Sequence, residues 1–254
     1  MRTLFWECTL RCNLRCRHCG SDCRTDASLR DMPLSDFLNV LDKEITPNTD
    51  PSRVLIIFSG GEVLVRPDLE EAGHEVKRRG YKWGMVTNGM ALTKERLRSL
   101  VDAGLRSVSV SFDGFEDAHN HIRGNALSFE RARMALQHIR QYKGLAYDAI
   151  TCVTPAMMER LEEWKEFLIS EGIEHWRIFS IFPAGRAKMD DTLHLNEEQF
   201  RRLMEFIRAT RKEGRIKLNY ACEGFLGGYE AEVRDHFYMC NAGVSVASIR
   251  VNGD

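Results

Sequence analysis

The chain has 254 residues, 43% of them hydrophobic, and 36 Lys and Arg against 37 Asp and Glu leave a net charge of −1; this bounds it to one large domain, or one domain with a small extension. The interleaved, near-neutral charge gives no basis for a nucleic-acid or anionic-membrane partner. No apolar run approaches the roughly 20 residues of a membrane span, Met1–Glu7 has no signal-peptide core, and eight cysteines in that setting point to a reducing, cytoplasmic compartment and metal ligation.

A first strand is expected at Leu4–Trp6, and a cysteine-rich loop follows it directly. Cys12, Cys16 and Cys19 are spaced C-x3-C-x2-C. Three thiolates on one short loop can hold three irons of a four-iron cluster and leave the fourth open for chemistry. Cys8 and Cys23 lie close enough in sequence to offer a fourth sulfur. A structural zinc site completed by Cys23 or His18 is therefore the rival reading.

A helix is expected over Asp36–Lys43 after Ser35. The second strand, Val54–Phe58, runs into Ser59-Gly60-Gly61-Glu62. Two glycines there suit a tight turn, or a place where a ligand comes close to the backbone. A helix then opens at Pro67 and ends at Arg79. The third strand, Gly84–Thr87, ends in Asn88-Gly89, which reads as a turn or a pocket lining. Thr93 precedes a helix over Lys94–Ala103.

The fourth strand, Ser107–Phe112, places Val108, Val110 and Phe112 on one face and Ser109, Ser111 and Asp113 on the other. A polar face inside a fold needs partners. Arg123 has a fork suited to a carboxylate, or is a loop arginine in solvent. Ser128 precedes a helix over Phe129–Tyr142. The fifth strand is expected at Ala146–Val153, a helix at Glu159–Glu171, the sixth strand at Trp176–Ile181, and a helix at Glu197–Glu213 capped by Asn196. Six strand–helix units in a row argue for an α/β fold with a parallel sheet. Periodicity leaves a barrel and an open doubly wound sheet both possible. Composition changes after Lys217, so residues 1–215 are expected to form the core domain and 216–254 a short extension.

The order of the cysteine loop, G-G-E at 60–62, T-N-G at 87–89 and S-x-D-G at 111–114 resembles the radical S-adenosylmethionine (radical SAM) superfamily. The resemblance implies a partial (β/α)6 TIM-like barrel with its site at the C-terminal ends of the strands. It implies a [4Fe–4S] cluster on Cys12, Cys16 and Cys19, with S-adenosylmethionine chelating the open iron and being cleaved to a 5′-deoxyadenosyl radical. It places Gly60, Gly61 and Glu62 at the amino group of SAM, Thr87 and Asn88 in the pocket lining, Ser111 and Asp113 at the ligand, and Arg123 at its carboxylate.

Pro183-Ala184-Gly185-Arg186-Ala187 resembles a run found after the sixth strand of peptide-modifying members. Cys222 and Cys240 resemble the start of a SPASM or twitch extension, which binds auxiliary clusters. On this resemblance the chain is expected to be part of a longer enzyme, with a mobile tail. The substrate is then expected to be a peptide or protein, and the electron donor a flavodoxin or ferredoxin. A small-molecule radical SAM enzyme of cofactor biosynthesis shares every SAM-site residue and is the alternative. A non-enzymatic zinc or iron–sulfur module is the other.

Overall fold

Eight parallel strands make one sheet: β1 (Thr3–Thr9), β2 (Leu55–Gly60), β3 (Lys82–Thr87), β4 (Leu105–Ser111), β5 (Ala146–Val153), β6 (His175–Ser180), β7 (Lys217–Tyr220) and β8 (Val246–Ile249). The computed structural model describes residues 1–254 apart from 22, 26–29, 222 and 223. The strand order is β7-β6-β5-β4-β3-β2-β1-β8. From β1 to β7 every step moves the same way along the sheet. Right-handed crossovers that never reverse direction put all their helices on one face and curl the sheet. A doubly wound sheet reverses part-way, so the strand order resolves what periodicity left open in favour of the partial barrel.

The helices are α1 (Leu34–Val40), α2 (Leu69–Arg78), α3 (Lys94–Asp102), α4 (Glu116–Arg123), α5 (Ser128–Ile139), α6 (Pro155–Met158), α7 (Leu161–Ser170) and α8 (Glu197–Glu213). A π-helical turn, Leu41–Ile45, continues α1. Helices and strands meet in a core of alternating strand residues. Leu4, Trp6 and Cys8 of β1 are buried, and Trp6 stacks on Phe37 of α1 at 3.8 Å. Phe58 stacks on Trp83 at 4.9 Å. Phe112, just past β4, meets Phe129 at 5.2 Å and Trp164 at 4.8 Å. Fully burying a side chain such as Phe or Leu contributes about 1.5–3 kcal/mol.

Several expectations are corrected. Pro33, not Ser35, occupies the N-cap of α1. Ser128 lies inside α5, where its hydroxyl bonds Asn125 O and Asn120 Oδ1, both at 2.9 Å. The helix expected over Glu159–Glu171 is the pair α6 and α7, with Thr154 capping the first. The segment holding Arg123 is helix α4, not a loop. The region after 215 adds two strands to the same sheet, β7 beside β6 and β8 beside β1. Thr93 and Asn196 cap as expected, Asn196 within a reciprocal capping box with Gln199. Among the described residues no helix is long and apolar enough to cross a membrane.

Candidate active site

The end of β1 carries the cysteine loop to the C-terminal end of the sheet, where β2, β3 and β4 also end. Cys12, Cys16 and Cys23 are buried in one small cluster with Cys19, Leu10 and Met90 packed against it. None of the four is in a disulfide. Burial pushes the Cys12 thiol up to about 11 and raises Cys16. A hydrogen bond between Cys19 and Cys23 draws the Cys19 thiol down and pushes Cys23 up. Cys8 points the other way, into the core under the helices, and burial pushes it up to about 12. The loop therefore brings together the three predicted ligands plus Cys23, and leaves Cys8 out. His18 groups instead with Asp113 and Cys152, their ligand atoms within 4.8 Å of one another.

The glycine turn packs closely against the chain's own backbone. A Cβ on Gly61 would lie 2.1 Å from Arg11 O, and one on Gly60 2.1 Å from Thr9 O. The backbone that comes close is the chain's own. Gly61 N donates to Thr9 O at 2.7 Å and Glu62 N to Arg11 O at 2.9 Å. The two glycines thus seat the start of the cysteine loop on the end of β2.

Glu62 is buried and ties strand ends together. Its carboxylate accepts from Thr87 Oγ1 at 2.6 Å, Asn88 N at 2.7 Å and Leu64 N at 3.2 Å. Burial raises its pKa, against the lowering effect of these donors. Asn88 Nδ2 donates to Asn13 Oδ1 at 2.8 Å and reaches Cys12 Sγ at 3.9 Å. Ser111 ends β4 half-buried.

Asp113 and Arg123 face each other. Arg123 Nε donates to Asp113 Oδ2 at 2.6 Å, and Cys152 N donates to Asp113 Oδ1 at 2.9 Å. Burial pushes the Asp113 carboxyl up, but Arg123, His18 and His119 more than offset it and hold it at about 2. Arg123 thus has a carboxylate partner within the protein itself. The guanidinium also reaches Cys16 Sγ at 3.6 Å. Ser109, expected beside these residues, bonds Asp148 Oδ1 at 2.6 Å, and Arg177 bridges both. Sequence reading missed this last group. Its signal was one charged residue in each of two neighbouring strands, Asp148 and Arg177.

These residues fit an anionic iron–sulfur cluster. Three thiols share a short loop, Arg123 and Asn88 point donors at two of the sulfurs, and donors to sulfur are what such clusters use. The profile of the radical SAM superfamily matches residues 6–168. The chain belongs to the radical SAM superfamily. Membership implies a [4Fe–4S] cluster and SAM as cofactors. This radical SAM chain is 28% identical over 222 residues to an AdoMet-dependent heme synthase of Methanosarcina barkeri, covering 87% of the chain and 62% of that protein. It is 30% identical over 201 residues to a tungsten-containing aldehyde ferredoxin oxidoreductase cofactor-modifying protein of Pyrococcus furiosus, covering 76% and 55%. The chain thus spans 55% to 62% of the length of these relatives. In structure it resembles Streptococcus suis SuiB bound to S-adenosylmethionine, with TM-score 0.76 and 18% identity over 100% of this chain and 59% of that one. At that identity the likeness shows the fold, a radical SAM partial barrel.

Cys240 is exposed. Cys222 lies outside the described residues.

Proposed function

We propose that this radical SAM chain belongs to an enzyme that modifies a small-molecule cofactor, a carboxylate-bearing tetrapyrrole. The observation that carries this reading is sequence likeness over most of the chain to a heme synthase, with a second cofactor-modifying protein beside it. It displaces the peptide-substrate expectation, which rested on the Pro183–Ala187 run and two tail cysteines.

When bound, the reduced cluster and SAM supply a radical able to take a hydrogen atom from the substrate. The protein's own residues hold and orient. Cys12, Cys16 and Cys19 would ligate the cluster, leaving Cys23 as the donor to Cys19. Gly60 and Gly61 seat the loop, Glu62 locks β2 to β3, and Arg123 and Asn88 direct donors at the ligand sulfurs. Thr87 and Ser111 stand at strand ends where SAM would lie. The electron would come from a flavodoxin or ferredoxin.

The test is anaerobic reconstitution followed by reduction, with 5′-deoxyadenosine measured by chromatography. About four irons per chain are expected, with 5′-deoxyadenosine formation stimulated by an iron tetrapyrrole bearing propionates and not by peptides. One zinc per chain without iron overturns the cluster. Stimulation by a peptide alone overturns the substrate class.

A further inference from the structure

The loop after β6 makes contacts that SAM binding does not explain. Arg186 Nε donates to Cys16 O at 2.8 Å, its NH1 donates to Cys23 O at 3.0 Å, and its backbone N donates to Cys19 O at 3.0 Å. Three bonds from one residue thus reach three of the four clustered cysteines, across a separation of 170 residues for Cys16. Gly185, beside it, has φ +54°, and a Cβ there would lie 2.4 Å from Gly20 O and 2.5 Å from Cys19 O. Only glycine lets the two loops meet this closely. A second tie runs from Arg17 NH2 to Asp190 Oδ2 at 2.5 Å. Ala187 is fully buried, which anchors the post-β6 segment.

We propose that Arg186 is a positioning residue: a latch that holds the cysteine loop in its ligating shape and places a fixed positive charge beside the cluster. A guanidinium is required for the shape, because two diverging carbonyls must be met by one rigid fork. Charge alone is required for the second effect. A cation near the cluster favours its more negative, reduced form and so raises its potential. The latch spans the sheet from β6 to β1, so it joins the cluster loop to a strand wall that would face the substrate. The charge effect rests on the reading of Cys12, Cys16 and Cys19 as cluster ligands; the latch itself does not.

The experiment uses the full chain in two states. In metal-free, reduced protein, hydrogen exchange is followed on peptides covering residues 12–21. Arg186→Gln and Arg186→Lys should each speed exchange there at least tenfold, as should Gly185→Ala, while peptides of β3 and β4 stay at the wild-type rate. In reconstituted protein, the cluster's midpoint potential should fall in Arg186→Gln and remain near wild type in Arg186→Lys. Wild-type exchange over residues 12–21 in Arg186→Gln overturns the latch. Faster exchange spread evenly over the sheet also overturns it, because that is general destabilisation. Equal potentials in the Gln and Lys variants overturn the charge effect. If wild type takes up no iron, the cluster reading fails, yet the exchange result still decides the latch.

Discussion

Gly61→Ala isolates the contact on which the cysteine loop rests. Gly61 does not have a positive φ, so alanine brings no backbone strain, only a methyl group. That methyl would lie 2.1 Å from Arg11 O and 2.8 Å from Arg11 C, both backbone atoms that no rotamer change can move. An ordinary contact needs about 3.5 Å, so the two segments must part by about 1.4 Å. The bonds from Gly61 N to Thr9 O, now 2.7 Å, and from Glu62 N to Arg11 O, now 2.9 Å, then stretch past bonding distance. A buried polar group left without its partner costs about 1–3 kcal/mol, so two cost about 2–6 kcal/mol. That is a large share of the roughly 5–15 kcal/mol that holds a typical domain folded. Urea unfolding of the metal-free, reduced protein measures the change, and iron uptake on reconstitution should fall with it. Gly228→Ala is the control: a Cβ there meets nothing within 4 Å, and its effect should stay within about 0.5 kcal/mol. If Gly61→Ala also stays within about 0.5 kcal/mol of wild type, the seating argument is wrong.

Other outcomes follow from the same geometry. Cys12→Ala, Cys16→Ala and Cys19→Ala should each abolish 5′-deoxyadenosine formation, whereas Cys8→Ala should keep its iron; iron loss in Cys8→Ala on anaerobic analysis would contradict its place in the core. Asp113→Asn strands the Arg123 charge in a buried site and should cost about 3–5 kcal/mol by urea unfolding. Asp113 is held below its ordinary 3.8, at about 2, so its contribution is complete above about pH 4 and is lost as pH falls towards 2. Acid titration of stability in wild type should therefore show a loss of about 2 kcal/mol over that window that Asp113→Asn lacks; parallel curves refute the assignment.

The places where sequence reading succeeded and failed share a physical cause. β5 at 146–153 and α8 at 197–213 are set by local pattern and caps, and both were readable to the residue. So was the position of the cysteine loop directly after β1. The short β8, Val246–Ile249, was not, because four residues become a strand only by pairing with β1 at the other end of the chain. Helix α4 was missed although Glu116 and Asp117 at its start and the left-handed Gly124 at its end were visible signals. In the site, the motif positions were legible and their partners were not. Asp113 and Arg123 were each marked by residue type, but their pairing at 2.6 Å was not legible, because a turn and a helix separate them. That Gly60 and Gly61 also seat residues 9–11 was not legible, because that backbone comes from the other end of a strand pairing.

The pairing of β8 with β1 also dictates an order of events during synthesis. β1 gains its first neighbour when β2 is complete at residue 60, but among the described residues its other edge pairs with residues 246–249. At about 5–20 residues per second, the intervening stretch takes about 10–40 s to make. Throughout that interval the strand that leads into the cysteine loop has one open edge, a template for wrong pairing. Contacts this distant in sequence form late and slowly. Iron delivered early would therefore meet a loop anchored on one side. Iron delivered after residue 249 has emerged meets a strand held on both, so the last strand acts as a timer on when the cluster loop becomes a rigid receptor.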